Sequence, residues 1–148
     1  MLKVGDKAPQ FETQDATGNS VSLADTLRKG KVVLYFYPAD FTPICTAQAC
    51  AFQERAEALQ AHAVQILGIS PQNADSHRRF AERYGLSFPL LCDTDRKIIR
   101  AYGVEGPLGF GVRRATFLLD QEGIVRNRVV SDLFVGSHMD LVKSVLTE

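Results

Sequence analysis

Lys31-Val32-Val33-Leu34-Tyr35-Phe36-Tyr37-Pro38-Ala39-Asp40-Phe41-Thr42-Pro43-Ile44-Cys45-Thr46-Ala47-Gln48-Ala49-Cys50 is the stretch whose reading decides the fold. After its lysine, Lys31–Phe36 is continuously apolar, as in a strand buried on both faces. Pro38 breaks that strand, and a short loop carrying Thr42 leads to a proline suited to the first turn of a helix. The helix runs from Thr42 or Pro43 to about Ala61 and receives Cys45 in its first turn, with Cys50 five residues later.

Working outward, strand and helix signals alternate along the chain. Asp15-Ala16-Thr17-Gly18-Asn19 reads as the turn of an N-terminal hairpin, and Ser22 as the cap of a short helix ending near Gly30. Val64–Ile69 is a second buried strand. Ser70-Pro71 reads as an N-cap followed by proline at the first helical position, with Gly85 as the stop. Leu90-Leu91 is a short strand, and a short helix from Arg96 to Tyr102 stops at Gly103. A glycine-rich loop, Gly103 to Val112, precedes strands Ala115–Leu119 and Ile124–Val130, which form a hairpin around Asp120-Gln121-Glu122-Gly123. Ser137 reads as the cap of a final helix, Met139–Leu146. Two βαβ units followed by a hairpin imply an α/β fold: a central mixed β-sheet flanked by helices on both faces, thioredoxin-like in outline.

The composition sets limits. A chain of 148 residues, 45% hydrophobic and 23% charged, fits a single domain spanning 1–148 with a substantial core. Seventeen basic residues balance seventeen acidic ones, which argues against a nucleic-acid or anionic-membrane partner. No apolar run approaches the roughly 18 residues of a membrane span, and Met1–Asp6 has no signal-peptide core. The expected location is cytoplasmic. Three cysteines make no disulfide framework, so they read as catalytic, metal-binding or buried.

On a helical wheel, Cys45, Ala49, Phe52, Ala56, Leu59 and Ala63 share one apolar stripe that faces the core. Cys50 lies about 140° from Cys45, on the side of Glu54 and Glu57. A buried small hydrophobe accounts for a cysteine in the stripe; it does not account for Cys50. At the helix start, unpaired N–H groups and the positive end of the dipole favour a thiolate at Cys45, the form that acts as a nucleophile. In an intact helix, Cα atoms at i and i+5 are roughly 8.6 Å apart. A disulfide needs about 4.4–6.8 Å. A bond between the two cysteines therefore requires the first helical turns to unwind.

Pro38-x-x-x-Thr42-x-x-Cys45, entered from an apolar strand, resembles the active-site pattern of the peroxiredoxins, and the Cys45-to-Cys50 spacing is similar to their bacterioferritin-comigratory-protein, or PrxQ, subgroup. Gly5-Asp6-x-Ala8-Pro9-x-Phe11, Gly68-Ile69-Ser70, Phe88-Pro89-Leu90-Leu91-Cys92-Asp93 and Arg114-Ala115-Thr116-Phe117-Leu118-Leu119-Asp120 extend the resemblance over nearly the whole chain. It implies reduction of hydrogen peroxide and organic hydroperoxides without metal, haem or other cofactor. It also implies a peroxidatic Cys45, peroxide held by Thr42, shielding by Pro38, and Arg114 stabilising thiolate and leaving oxygen. Cys50 would resolve the sulfenic acid as an intramolecular disulfide, recycled by thioredoxin or a similar dithiol donor, in a monomer. Arg113 and Arg114 face opposite ways in a strand, and the family pattern selects Arg114. Position 48 is Gln where many members carry Glu, and in some members the resolving cysteine lies on the following helix.

Other constellations are weaker. Cys92, at the end of a short buried strand, reads as a packed thiol. The cysteines and His62, His77 and His138 lack zinc spacing, and the histidines read as surface residues from their polar contexts. Asp93 and Asp95 read as helix caps. The glycine-rich loop lacks G-x-G-x-x-G. Tyr35, Phe36, Tyr37 and Phe41 read as core packing and as an apolar collar around Cys45, and both can hold. A thiol–disulfide oxidoreductase and a redox sensor stay open beside the peroxidase. The first would normally use C-x-x-C, which is absent.

Overall fold

The computed structural model describes residues 1–147; the end of the expected domain, Glu148, lies outside the described residues. Strands β1 (Glu12–Gln14) and β2 (Ser20–Ser22) form an antiparallel hairpin. Its turn is tied by Asp15, whose Oδ1 accepts the N–H groups of Thr17 and Asn19. Helix α1 (Leu23–Lys29) is N-capped by Ser22, whose hydroxyl accepts from the Asp25 N–H at 3.1 Å, and it ends at Gly30. There follow β3 (Lys31–Phe36), α2 (Pro43–Glu54), α3 (Ala56–Ala61), β4 (Val64–Ser70), α4 (Ala74–Tyr84), β5 (Leu90–Cys92), α5 (Lys97–Ala101), β6 (Ala115–Leu119), β7 (Val125–Val130) and α6 (Val135–Leu146).

The main sheet has the order β5-β4-β3-β6-β7. Strand β3 sits at its centre, parallel to β4 and antiparallel to β6. The sheet is mixed, as the sequence implies. Side chains alternate along β3, so it feeds two cores. Leu34 and Phe36 pack on one face with Leu23 and Leu27 of α1 and Ile98 and Ile99 of α5. Val33, Tyr35 and Tyr37 pack on the other with Cys45, Ala49 and Phe52 of α2, Phe80 of α4 and Val142 of α6. Burying a side chain such as Phe52 contributes about 1.5–3 kcal/mol. Gly68 is the β4 partner of Tyr35. A Cβ there would meet the Tyr35 ring at 3.0 Å and Leu90 at 2.9 Å, so glycine lets the tyrosine lie flat beneath α2.

Several expectations need correction. The long helix is two helices, broken at Arg55 (φ −106°, ψ 1°). The Arg55 N–H bonds to Phe52 O, and its guanidinium takes the Ala51 carbonyl at 3.1 Å, satisfying the acceptor a regular helix would have used. Helix α3 stops at Ala61, so Ala63 leaves the stripe and is exposed. Helix α4 is capped by Asn73, not Ser70, because Ser70 is still in β4 opposite Cys92. Helix α6 begins at Val135, with Ser137 inside its first turn. His77 and His138 are fully buried, not surface residues: each occupies an inward helical position and is satisfied by distant partners. Phe36 belongs to the opposite core from Cys45, so the collar reduces to Tyr35, Tyr37 and Phe41. Among the described residues no helix is long and apolar enough to cross a membrane.

Candidate active site

The site forms where β3 hands the chain to α2. Thr42 is the N-cap residue (φ −75°, ψ 149°), and its carbonyl takes the first helical bond, from Thr46 at 2.9 Å. Its hydroxyl does not cap the helix; it donates to the Ala39 carbonyl at 3.0 Å and stays at the surface. Pro43 opens the helix and has no N–H to satisfy. Ile44 and Cys45 supply first-turn donors that precede the intrahelical ladder. Between Asp40 and Thr42, Phe41 is left-handed at φ 66°, a conformation that costs an aromatic residue about 1–2 kcal/mol. Phe41 leans on Phe80 and Tyr84 of α4, ring centroids 5.2 and 6.4 Å away, while remaining 48% exposed.

Cys45 is buried at 2% exposure. Arg114, just before β6 and also buried, donates from Nη2 to Cys45 Sγ at 3.3 Å and from Nη1 to Gln48 Oε1 at 2.7 Å. Its Nε donates to the Asp132 carbonyl at 3.1 Å, and its main-chain N–H to the Asp132 carboxylate at 3.0 Å. The guanidinium is thus met by two neutral oxygens and the cysteine sulfur. Of the two groups that meet its terminal nitrogens, only the Cys45 sulfur can become an anion and so serve as counter-charge to the buried cation. Arg113 points away and pairs with Asp132 at the surface, Nε to Oδ2 at 2.9 Å. Of the two adjacent arginines, the structure brings Arg114 to the sulfur.

Gln48 is wholly buried, and its Nε2 has no partner; the buried hydroxyl of Tyr35 is likewise unpartnered. Burial, with negative charge from Cys45 and Asp40, holds the Tyr35 phenol well above its usual range, so it stays protonated. Pro38 is half-buried at the end of the strand that enters the site. Cys50 lies further along α2, half-buried and outside both cores; both cysteines are free thiols in a continuous helix. Cys92 closes β5, two strands from β3, and is half-buried rather than packed away. Burial and nearby Asp15 push its thiol up to about 11. Asp93 caps α5 as expected, accepting from the Ile98 and Ile99 N–H groups, and Asp95 accepts from Lys97.

Sequence reasoning missed two buried histidines that flank this site. His138 of α6 takes the Thr116 hydroxyl at Nδ1 (2.7 Å) and donates from Nε2 to Ser131 O (2.9 Å), next to Asp132. Burial pushes its imidazole below its ordinary value, and the Arg114 charge adds to this against Ser131 and Asp132. His77 of α4 bonds to Asp40 in the cysteine loop. The available signal was helical spacing: His77 stands three residues before Phe80, and His138 four before Val142, both core residues.

Comparison with known proteins identifies the class. The crystal structure of peroxidoxin BcpB from Mycobacterium tuberculosis matches with a TM-score of 0.92 at 34% identity, over 99% of this chain and 97% of that one. Xanthomonas campestris bacterioferritin comigratory protein, described for its alkyl peroxide reduction activity, matches with a TM-score of 0.84 at 30% identity, over 93% and 90% of the two chains. These are thioredoxin-fold peroxiredoxins. The AhpC/TSA family model matches residues 4–128, and the chain belongs to that family. Peroxiredoxin Bcp of Escherichia coli (strain K12) is 37% identical over 153 residues, covering 99% of this chain and 97% of that protein. The relatives are peroxiredoxins of the Bcp/PrxQ type, thiol-dependent peroxidases, and they support the same activity here.

Proposed function

We propose that the protein reduces hydrogen peroxide and organic hydroperoxides through Cys45. The observation that carries this reading is the Arg114 guanidinium 3.3 Å from Cys45 Sγ, with Gln48 as its other terminal acceptor. The Cys45 thiolate attacks the distal peroxide oxygen. An S–O bond forms and the O–O bond breaks. The other oxygen leaves as water or an alcohol after taking a proton, and Cys45 becomes a sulfenic acid.

The Thr42 hydroxyl, now on Ala39 O, turns to the peroxide. Arg114 stabilises charge on the sulfur and then on the departing oxygen, while Pro38 and the aromatic rings limit water. Cys50 attacks the sulfenic sulfur and expels water, forming the Cys45–Cys50 disulfide. Helix α2 must unwind at its start for this step. Thioredoxin or a similar dithiol then reduces the bond by exchange.

The chain has no tryptophan, so the first step is best followed by quenched flow, alkylation and mass spectrometry. Cys45 should oxidise orders of magnitude faster than free cysteine. A rate equal to that of free cysteine contradicts the reading.

A further inference from the structure

Asp40, in the cysteine loop, and His77 of α4 are buried together. The Asp40 side chain is fully enclosed and receives three hydrogen-bond partners. Tyr37 donates to Oδ1 at 2.6 Å, Ser76 donates to Oδ2 at 2.7 Å, and His77 Nδ1 lies 2.7 Å from Oδ2. On its far side, His77 Nε2 is 3.0 Å from the Leu91 carbonyl in β5. A carbonyl only accepts, so Nε2 carries a hydrogen. A bare lone pair at Nδ1 could not face a carboxylate oxygen at 2.7 Å, so a proton is also shared between Nδ1 and Oδ2. The result is one buried, saturated chain of bonds from β5 through α4 to the loop.

What this chain holds is strained. Phe41, the residue after Asp40, is the left-handed one, and the residue after it is Thr42. A loop with so few residues would relax if Asp40 were released. Backbone strain persists where surrounding groups over-determine it, and Asp40 is the most heavily bonded side chain in the loop.

We propose that His77 is a positioning residue for the cysteine loop: through Asp40 it fixes the strained turn that sets the Thr42 hydroxyl beside Cys45. This rests on the peroxidase reading. It predicts that the peroxide step depends on the Nδ1 contact with Asp40 and not on the Nε2 contact with Leu91.

Two substitutions separate the two contacts. His77→Asn leaves an amide donor near the Nδ1 position and drops Leu91. His77→Gln places the amide near Nε2 and leaves Asp40 with Tyr37 and Ser76 but without its partner on the residue-77 side chain. Three quantities are measured for each: the rate of Cys45 oxidation by hydrogen peroxide, the rate of Cys45 alkylation by iodoacetamide, and the melting temperature. Alkylation needs the thiolate but not the Thr42 hydroxyl.

The expected result is an oxidation rate at least about tenfold lower in His77→Gln and near wild type in His77→Asn, because small displacements of positioned groups cost large rate factors. Alkylation should be little changed in both. Should His77→Gln fail to fold, the contact is tested from the loop side: Asp40→Asn, whose amide can donate to Nδ1 while its oxygen still accepts from Tyr37, should retain the rate, and Asp40→Ser, which loses the His77 contact together with those to Tyr37 and Ser76, should lose at least as much as expected for His77→Gln. Equal oxidation rates in the His77 pair, or losses matched by alkylation, overturn the assignment and leave His77 a packing residue. A wild-type rate no faster than free cysteine overturns the peroxidase reading, and this proposal with it.

Discussion

Arg114 joins Cys45 to Gln48: its two terminal nitrogens reach the sulfur at 3.3 Å and the amide oxygen at 2.7 Å. Because Gln48 is uncharged, the guanidinium keeps its full charge for the sulfur. A carboxylate at position 48 would take a share of it. Gln48→Glu should therefore slow Cys45 oxidation by about tenfold, or about 1.4 kcal/mol. Arg114→Met should slow it by about 10²–10³-fold, the usual loss of one transition-state donor. Quenched-flow oxidation rates check both, and a Gln48→Glu rate above wild type would contradict the electrostatic account.

Thr42 uses its hydroxyl neither to cap α2 nor to bond any buried group. Thr42→Ser should retain most activity, and Thr42→Val should lose about 10²-fold in peroxide rate with a melting temperature close to wild type. A Thr42→Val protein that oxidises at the wild-type rate would remove Thr42 from the site.

His138 makes stability depend on pH. Its folded-state value lies below the ordinary value of about 6.5. Between the two, the unfolded chain binds a proton that the folded chain does not, so stability falls as pH drops from about 6.5 and is regained as pH rises. Protonation would place a hydrogen on Nδ1, where the Thr116 hydroxyl now donates. Urea denaturation from pH 7.5 to 5 should show this loss, and His138→Gln should flatten it. Asp120, held below its usual range by the Ile124 N–H and Arg126 despite partial burial, adds a separate loss only below about pH 4.

Cys92 should be a bystander. With its thiol near 11, it is almost entirely protonated at pH 7. Cys92→Ser should leave turnover unchanged, and iodoacetamide should label Cys92 more slowly than Cys50 in steady alkylation followed by peptide mapping. Loss of peroxidase turnover in Cys92→Ser would assign it the resolving role instead.

Local chemistry made much of the fold legible. The unbroken apolar run Lys31–Phe36, the Ser22 cap, Pro43 at a helix start and the stops at Gly30 and Gly85 act within a few residues, and the structure places each where the sequence does. Cys45 and Arg114 were also legible, one from the apolar stripe and one from its motif. The rest depended on partners distant in sequence. His77 and Asp40 are 37 residues apart, and His138 and Thr116 are 22 apart. Helical spacing puts both histidines on inward faces, but the partners that satisfy them there are not legible in their own local sequence. The break at Arg55 was hidden for a related reason: a side-chain bond to the Ala51 carbonyl makes it, with no glycine or proline to announce it.

The central claim is that α2 is a moving part, folded around Cys45 for attack and unwound for Cys50 to reach it. Trypsin cuts after Lys31, Arg55, Arg83 and Arg96, so Cys45 and Cys50 share the peptide 32–55 while Cys92 lies in 84–96. After one equivalent of hydrogen peroxide and blocking of free thiols, mass spectrometry should find peptide 32–55 unalkylated and short of two hydrogens, the signature of an internal disulfide. Native-state hydrogen exchange of the same sample should show the 42–50 amides losing protection. A cross-link between peptides 32–55 and 84–96, a chain-to-chain disulfide, or an oxidised form in which 42–50 keeps its protection would contradict the account.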